Sequence, residues 1–154
     1  MDNLIIRNAI MNDYKDIQKI MVQLHELHVE LRPDIYQSNE VVLSHSRFEE
    51  LIKNKTYLVA ELNRRIVGLL YYSIQYKDDD NHVKRTTLYI HTIAVDDNFK
   101  GKGIGTALLD YVKQLKKEKN YTSIELKVDA QNLSAIQMYK KNGLKEKSII
   151  MELL

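Results

Sequence analysis

The chain has 154 residues, 44% of them hydrophobic, with 23 basic and 21 acidic side chains, a formal charge of +2 and no cysteine. That length and balance describe one ordinary globular domain over 1–154, with too little net charge to single out nucleic acid or a membrane surface as a partner. The lack of cysteine excludes disulfides, thiolate catalysis and cysteine-ligated metal. With no basic-then-apolar leader pattern and no apolar run near the ~20 residues of a membrane span, the expected compartment is the cytoplasm.

Residues 4–10 form a short apolar run, read as a strand. From Met11 the period changes: Ile17, Ile20, Met21, Leu24, Leu27 and Leu31 recur at three- and four-residue steps, the pattern of an amphipathic helix. It runs to about Glu30 and stops before Pro33, which disfavours helix in the residue ahead of it. The serines of "SHSRFEELIKN" suit the N-cap of a second helix. "TYLVAELNRRIVGLLYYSIQY" reads as two strands turning at residues 63–65, and "TTLYIHTIAV" as a third. A glycine-rich turn and a helix to about Lys119 follow, then the strand "SIELKV", the helix "NLSAIQMYKKN" with Gly143 as its C-cap, and "SIIMELL" as a closing strand. This β-α-α-β-β-β-α-β-α-β order predicts an α/β (α+β) domain, a mixed sheet with helices packed on it.

The turn "FKGKGIG" lies between a strand and a helix. Its unpaired N–H groups and the positive end of the helix dipole favour an anion, and glycine lets the backbone approach one. A tight connection needing only glycine's backbone freedom is the plainer alternative. A dinucleotide fingerprint fails, because Thr106 stands where the third glycine belongs; a P-loop fails, because no glycine precedes Lys-Ser or Lys-Thr.

Lys100–Gly105, "KGKGIG", resembles the [RQ]-x-x-G-x-[GA] acyl-CoA signature of the GCN5-related N-acetyltransferase (GNAT) family, with Lys100 where arginine or glutamine is usual. That exchange keeps the charge and loses the planar fork. "NLSAIQMYKKNGL" is similar to the family's N-x-x-A-x-x-x-Y-x-x-x-G-[FL] segment through Asn132, Ala135, Tyr139, Gly143 and Leu144. The resemblance spans nearly the whole chain. It implies the acyl-CoA N-acyltransferase fold, a strongly twisted sheet of about six to seven strands with about four helices, parted by a V-shaped opening. It also implies acetyl-CoA as co-substrate without a metal. Ile93, Ala94 and Val95 would meet the pantetheine. Lys100, Gly101, Lys102, Gly103, Ile104, Gly105 and Thr106 would cradle the pyrophosphate, and Asn132 would face the pantetheine arm.

The implied reaction is acetyl transfer to a primary amine by direct attack, with no covalent enzyme intermediate. Tyr139 is the expected general acid for the departing thiolate, since a phenol donates a hydrogen bond. His91 is the candidate base, because imidazole titrates near neutral pH; deprotonation by ordered water is the competing route. Tyr89, two residues back on the same strand face, could line the acceptor site. Glu26, Glu30, Arg32 and Tyr36, on the first helix and its following loop, are the remaining acceptor candidates. A small-molecule amine is favoured over a peptide. No partner nucleic acid or membrane is expected; a homodimer is common in the family, although no element here marks an interface. The alternative is a non-catalytic acyl-CoA-binding or sensing module, in which the turn would matter while Tyr139 and His91 would not.

Overall fold

A computed structural model of the chain describes residues 3–154. Strand β1 (Leu4–Asn8) leads through a 3-10 turn into helix α1 (Tyr14–Leu31), followed by α2 (His45–Ile52) and the antiparallel run β2 (Tyr57–Leu62), β3 (Arg65–Lys77) and β4 (Arg85–Val95). A second 3-10 turn, Asp97–Phe99, precedes α3 (Ile104–Lys119), and β5 (Ser123–Leu126) and α4 (Leu133–Lys141) complete the elements. No helix among the described residues is long and apolar enough to cross a membrane.

The local chemistry explains these boundaries. Ser44 caps α2 by accepting the Arg47 N–H at 3.2 Å. Helix α1 ends where Arg32, before Pro33, leaves helical geometry. Helix α4 ends on Gly143, whose φ of +92° suits glycine. There the Gly143 N–H bonds Lys140 O and the Leu144 N–H bonds Tyr139 O, both at 3.0 Å, the paired bonds of a Schellman motif. The hairpin joining β2 and β3 turns on Asn63 and Arg64, both at positive φ, as a two-residue turn matched to strand twist demands.

The sheet runs in chain order β1-β2-β3-β4-β5, antiparallel except for the parallel β4–β5 pair. On one face Leu58, Leu70, Leu88 and Ile90 pack against Ile104, Leu108, Leu109 and Val112 of α3. On the other, Val59, Leu69 and Ala94 pack against Ile17 and Ile20 of α1 and Phe48 of α2. The mixed sheet between helices is the architecture expected from the sequence.

The strand count differs: five strands form rather than six or seven. The apolar stretch 148–154 makes no sheet pairing, and its backbone donates to no carbonyl among the described residues. A run apolar on both sides becomes a strand only when both its faces and an edge are covered. Here charged side chains hold it instead, through Lys147 to Glu125 at 2.9 Å and Arg32 to Glu152 at 2.6 Å. Strand β5 therefore remains the edge of the sheet.

Among the described residues, the buried Tyr57, 2% exposed, carries a hydroxyl with no protein hydrogen-bond partner. Burial pushes its phenol well above the usual tyrosine range. An unmade buried hydrogen bond costs about 1–3 kcal/mol, so Tyr57→Phe should raise stability by roughly 1 kcal/mol in urea unfolding. A loss of similar size would show that the hydroxyl is satisfied in solution.

Candidate active site

Pairing of β4 with β5 runs from Thr87↔Ser123 to Ile90↔Leu126 and then stops, whereas β4 continues to Val95. The two strands thus part, leaving one side of residues 91–95 without a neighbour. The Asp96 N–H reaches Val67 O on β3 at 2.9 Å. By the two-residue alternation of antiparallel backbone, Ala94 also faces β3, and Ile93 and Val95 turn their N–H and C=O groups toward the gap.

A bulge sits where the strands begin to part. Tyr71 pairs with Thr92 while Tyr72 pairs with Ile90, so His91 is the extra residue. The bulge shifts the side-chain alternation by one. Leu88 and Ile90 face α3 before it, and Ile93 and Val95 face α3 after it. His91 consequently lies on the α1–α2 face with an exposed ring. Its Nε2 is 2.7 Å from the Ser73 hydroxyl. The ring stacks on Tyr71, with centroids 5.0 Å apart and planes at 24°, and meets Tyr89 edge-on at 5.0 Å. Partial burial lowers the His91 pKa below its ordinary 6.5, so the imidazole is neutral and proton-accepting at pH 7. The contacts from Ser73 and Tyr71 come from a strand eighteen residues earlier and could not be read from residues near His91.

The glycine turn opens α3 at the mouth of the gap. The N–H groups of Gly101, Lys102, Gly103, Ile104, Gly105 and Thr106 find no acceptor among the described residues; the first helical bond is Ala107 N–H to Gly103 O at 2.9 Å. They are gathered at the positive end of a helix of 16 residues. Gly101 and Gly103 adopt φ of +76° and +84° with open space on their Cβ side, so an incoming group meets backbone alone. Gly105 has a different setting: a Cβ there would fall 2.7 Å from Met138 Sδ on α4, so that flexible side chain would have to shift. Thr106 Oγ1 accepts from Asn142 Nδ2 at 3.3 Å, a second tie between α3 and α4.

Charge around the turn is partly committed. Lys100 Nζ pairs with Asp97 at 2.9 Å, and Lys102 Nζ lies 5.2 Å from the Phe99 ring centre. Asp96, 1% exposed, anchors the approach to the turn. Its Oδ1 accepts the Asn98 N–H at 3.0 Å, and Lys19 and Arg65 stand 3.8 and 3.9 Å from its Oδ2. Sequence reasoning missed Asp96, since nothing in "AVDDNF" separates this buried carboxylate from exposed Asp97.

Tyr139 on α4 is partly buried and packs against the same core cluster as Ile93, Val95, Leu126 and Met138. Burial pushes its phenol up to about 12, and its hydroxyl has no protein partner among the hydrogen bonds of the described residues. It is therefore a protonated donor at neutral pH, available to a ligand. Asn132 caps α4, its Oδ1 accepting from Ala135 N–H at 3.2 Å.

The acceptor candidates separate into groups. Tyr89 alone contacts His91. Glu26 and Glu30 line a cleft of about 450 Å³ with Gln23, Asp97 and Lys100, beside the glycine turn. Arg32 is held by Asp34 at 2.7 Å and Glu152 at 2.6 Å, and Tyr36 packs on His28 with centroids 5.3 Å apart.

Residues 21–144 match the Acetyltransferase (GNAT) family, and the chain belongs to it. Among curated relatives, the uncharacterized N-acetyltransferase MJ1207 of Methanocaldococcus jannaschii is 35% identical over 94 residues, which are 61% of this chain and 41% of that one. The L-amino acid N-acetyltransferase AaaT of Escherichia coli is 27% identical over 150 residues, 93% of this chain and 83% of that one. The chain thus spans well under two thirds of MJ1207 but most of AaaT. Among solved structures, a tetramutant of the BH1408 protein of Bacillus halodurans superposes with a TM-score of 0.93 at 30% identity, covering 97% of this chain and 99% of that one.

The α3–α4 contact generates a test. Gly105→Ala should lower stability by roughly 1–2 kcal/mol through overpacking against Met138. In a double-mutant cycle the same change should cost about 1 kcal/mol less once Met138 is Ala. Strictly additive effects would contradict the close approach.

Proposed function

We propose that this chain is an acetyl-CoA-dependent N-acetyltransferase that acetylates the primary amine of a small molecule by direct attack. The observation that carries the reading is the run of free N–H groups at Gly101–Thr106, at the start of α3 and just beyond the unpaired end of β4. These groups fit the donor. The pyrophosphate would lie on the turn's N–H groups and the helix end, with Lys100 and Lys102 at its rim. The pantetheine would run along Ile93–Val95, whose free backbone groups offer the hydrogen bonds an amide-bearing arm needs. The side-chain amide nitrogen of Asn132 would be available to the same arm. Bound there, acetyl-CoA supplies the activated thioester.

The chain's own groups do the remaining work. His91, neutral at pH 7, accepts the proton of the incoming ammonium, directly or through water. Ser73 is a positioning residue: with Nε2–H donating to its hydroxyl oxygen, Nδ1 is the unprotonated ring nitrogen that takes that proton. An N–H of Ile93 or Val95 stabilises the carbonyl oxygen as it gains charge. Tyr139 donates to the departing sulfur. Tyr89 and Tyr71 beside His91 give the acceptor an aromatic wall. An amino acid is the first acceptor to try, supported by the likeness to AaaT over most of the chain.

Incubation with acetyl-CoA and a panel of amines, read as free thiol, should give amine-dependent release. Tight acetyl-CoA binding without release would favour a sensing module, and no binding would defeat the proposal. Tyr139→Phe should lower kcat at least ~10-fold while acetyl-CoA affinity holds within about threefold; unchanged turnover removes Tyr139 as the acid.

The pH dependence has a definite sign. Protonated His91 cannot accept a proton, so the rate should fall as pH drops through its pKa, below 6.5. Tyr139 at about 12 adds no basic limb in the usual range. His91→Gln should abolish the acid limb, and Ser73→Ala should displace it. A profile identical to the parent in His91→Gln would assign deprotonation to water.

A further inference from the structure

The glycine turn does not support itself. The N–H groups of Gly101–Thr106 find no acceptor among the described residues. Gly101 and Gly103 stand in open space at positive φ, so nothing inside the turn fixes its shape. Its geometry is set from its two ends. The far end is held by α3, where the Ala107 N–H closes on Gly103 O at 2.9 Å. The near end leaves β4 through Asp96, a buried carboxylate that the acetyl-transfer steps do not use. A buried carboxylate persists only where hydrogen bonds and cations offset the water it has lost. The hydrogen bonds of Asp96 are directed at the segment that carries the turn. Its Oδ1 accepts the Asn98 N–H at 3.0 Å, and its main-chain O accepts the Phe99 N–H at 2.8 Å. Together they close the 3-10 turn Asp97–Phe99 immediately before Lys100.

The same segment is tied to its surroundings. The Asp97 N–H donates to Gln23 Oε1 on α1 at 2.9 Å. Phe99 packs on the core beneath α3. Arg65 Cζ and Lys102 Nζ lie 5.4 and 5.2 Å from its ring centre, within cation–π range. Asp96 therefore fixes where Phe99 sits, and Phe99 keeps the Lys102 ammonium beside the turn. We propose, on the reading of the turn as the seat of acetyl-CoA, that Asp96 is a positioning residue for that ligand. Its Oδ1 bond to Asn98, supported by Gln23 on Asp97, holds the turn's N–H groups in the geometry that receives the pyrophosphate. The hydrogen bond rather than the charge carries the effect. The cations Lys19 and Arg65 stand 3.8 and 3.9 Å from Oδ2 and are each half exposed, a setting in which an ion pair contributes little. Donors already aligned lose less freedom on binding, so the signature falls on donor affinity and not on the chemical step.

Calorimetric titration with acetyl-CoA, together with initial rates on the amine that the panel selects, provides the test. Asp96→Ala should weaken acetyl-CoA binding and raise its KM at least ~10-fold, while kcat at saturation and the amine KM stay within about threefold of the parent. Asp96→Asn keeps the Oδ1 acceptor and should restore affinity to within about threefold of the parent. Gln23→Ala leaves the buried carboxylate in place and should weaken acetyl-CoA by about threefold or more with unchanged melting; it decides the matter if Asp96→Ala does not fold. Parent-like affinity in the deciding variant would overturn the proposal, as would a loss in Asp96→Asn equal to that in Asp96→Ala. A fall in kcat with the acetyl-CoA KM unchanged would also overturn it, leaving Asp96 a part of the fold alone. A parent that binds no acetyl-CoA would defeat the donor reading and this proposal with it, whereas a parent that binds no better than Asp96→Ala would defeat this proposal only.

Discussion

The structure depends on one interruption: β4 and β5 pair for four residues and then separate. A parallel ladder that continued to Val95 would consume the backbone groups of Ile93 and Val95 and close the opening between β4 and β5. Two features keep it open. The bulge at His91 bends and twists β4 at the last paired residue. Helix α4, which follows β5, is bound to α3 through Met138 against Gly105 and Asn142 against Thr106, so the chain beyond Leu126 is drawn toward the helix rather than along β4. The α3 N-terminus then lies at the mouth of the opening, and its unbonded N–H groups continue the line of free backbone from the strand.

This arrangement divides the chemistry between backbone and side chains. In the proposed reading the donor side is written in backbone: an edge of β4, a turn with two residues at positive φ, and the first turn of a helix. Such a site tolerates side-chain change, which is consistent with Lys100 standing where the family uses arginine or glutamine and spending its charge on Asp97. In the same reading the acceptor side would be written in side chains on the α1–α2 face: His91, Ser73, Tyr71 and Tyr89. Their contacts come from two neighbouring strands, and any exchange there alters the pocket without disturbing the donor's seat. One fold can therefore serve many acceptors.

Much of this was legible in the sequence because it follows from local rules. Helical spacing defined α1. Ser44 and Gly143 marked helix ends. The turn's glycines could be separated from a dinucleotide fingerprint or a P-loop by counting. The spacing around Tyr139 and the turn carried the family resemblance. What was not legible depends on pairing between distant segments. The bulge is a register event between β3 and β4, and "YIHTIAV" alternates plausibly without it. Ser73 reaches His91 only through that register. Gly105 looks like a third phosphate-facing glycine, yet its absent side chain makes room for Met138. The final apolar run has the composition of a strand but lacks the neighbour that would make it one.

The central claim is that the free backbone of Ile93, Val95 and Gly101–Thr106 is the seat of acetyl-CoA. Residue-resolved amide hydrogen exchange with and without acetyl-CoA tests it directly. The account predicts strong slowing at those amides, with little change in the paired core of β2 and β3. Unchanged exchange along the turn and the β4 edge at a saturating ligand concentration would contradict it, as would protection centred on the cleft lined by Glu26 and Glu30.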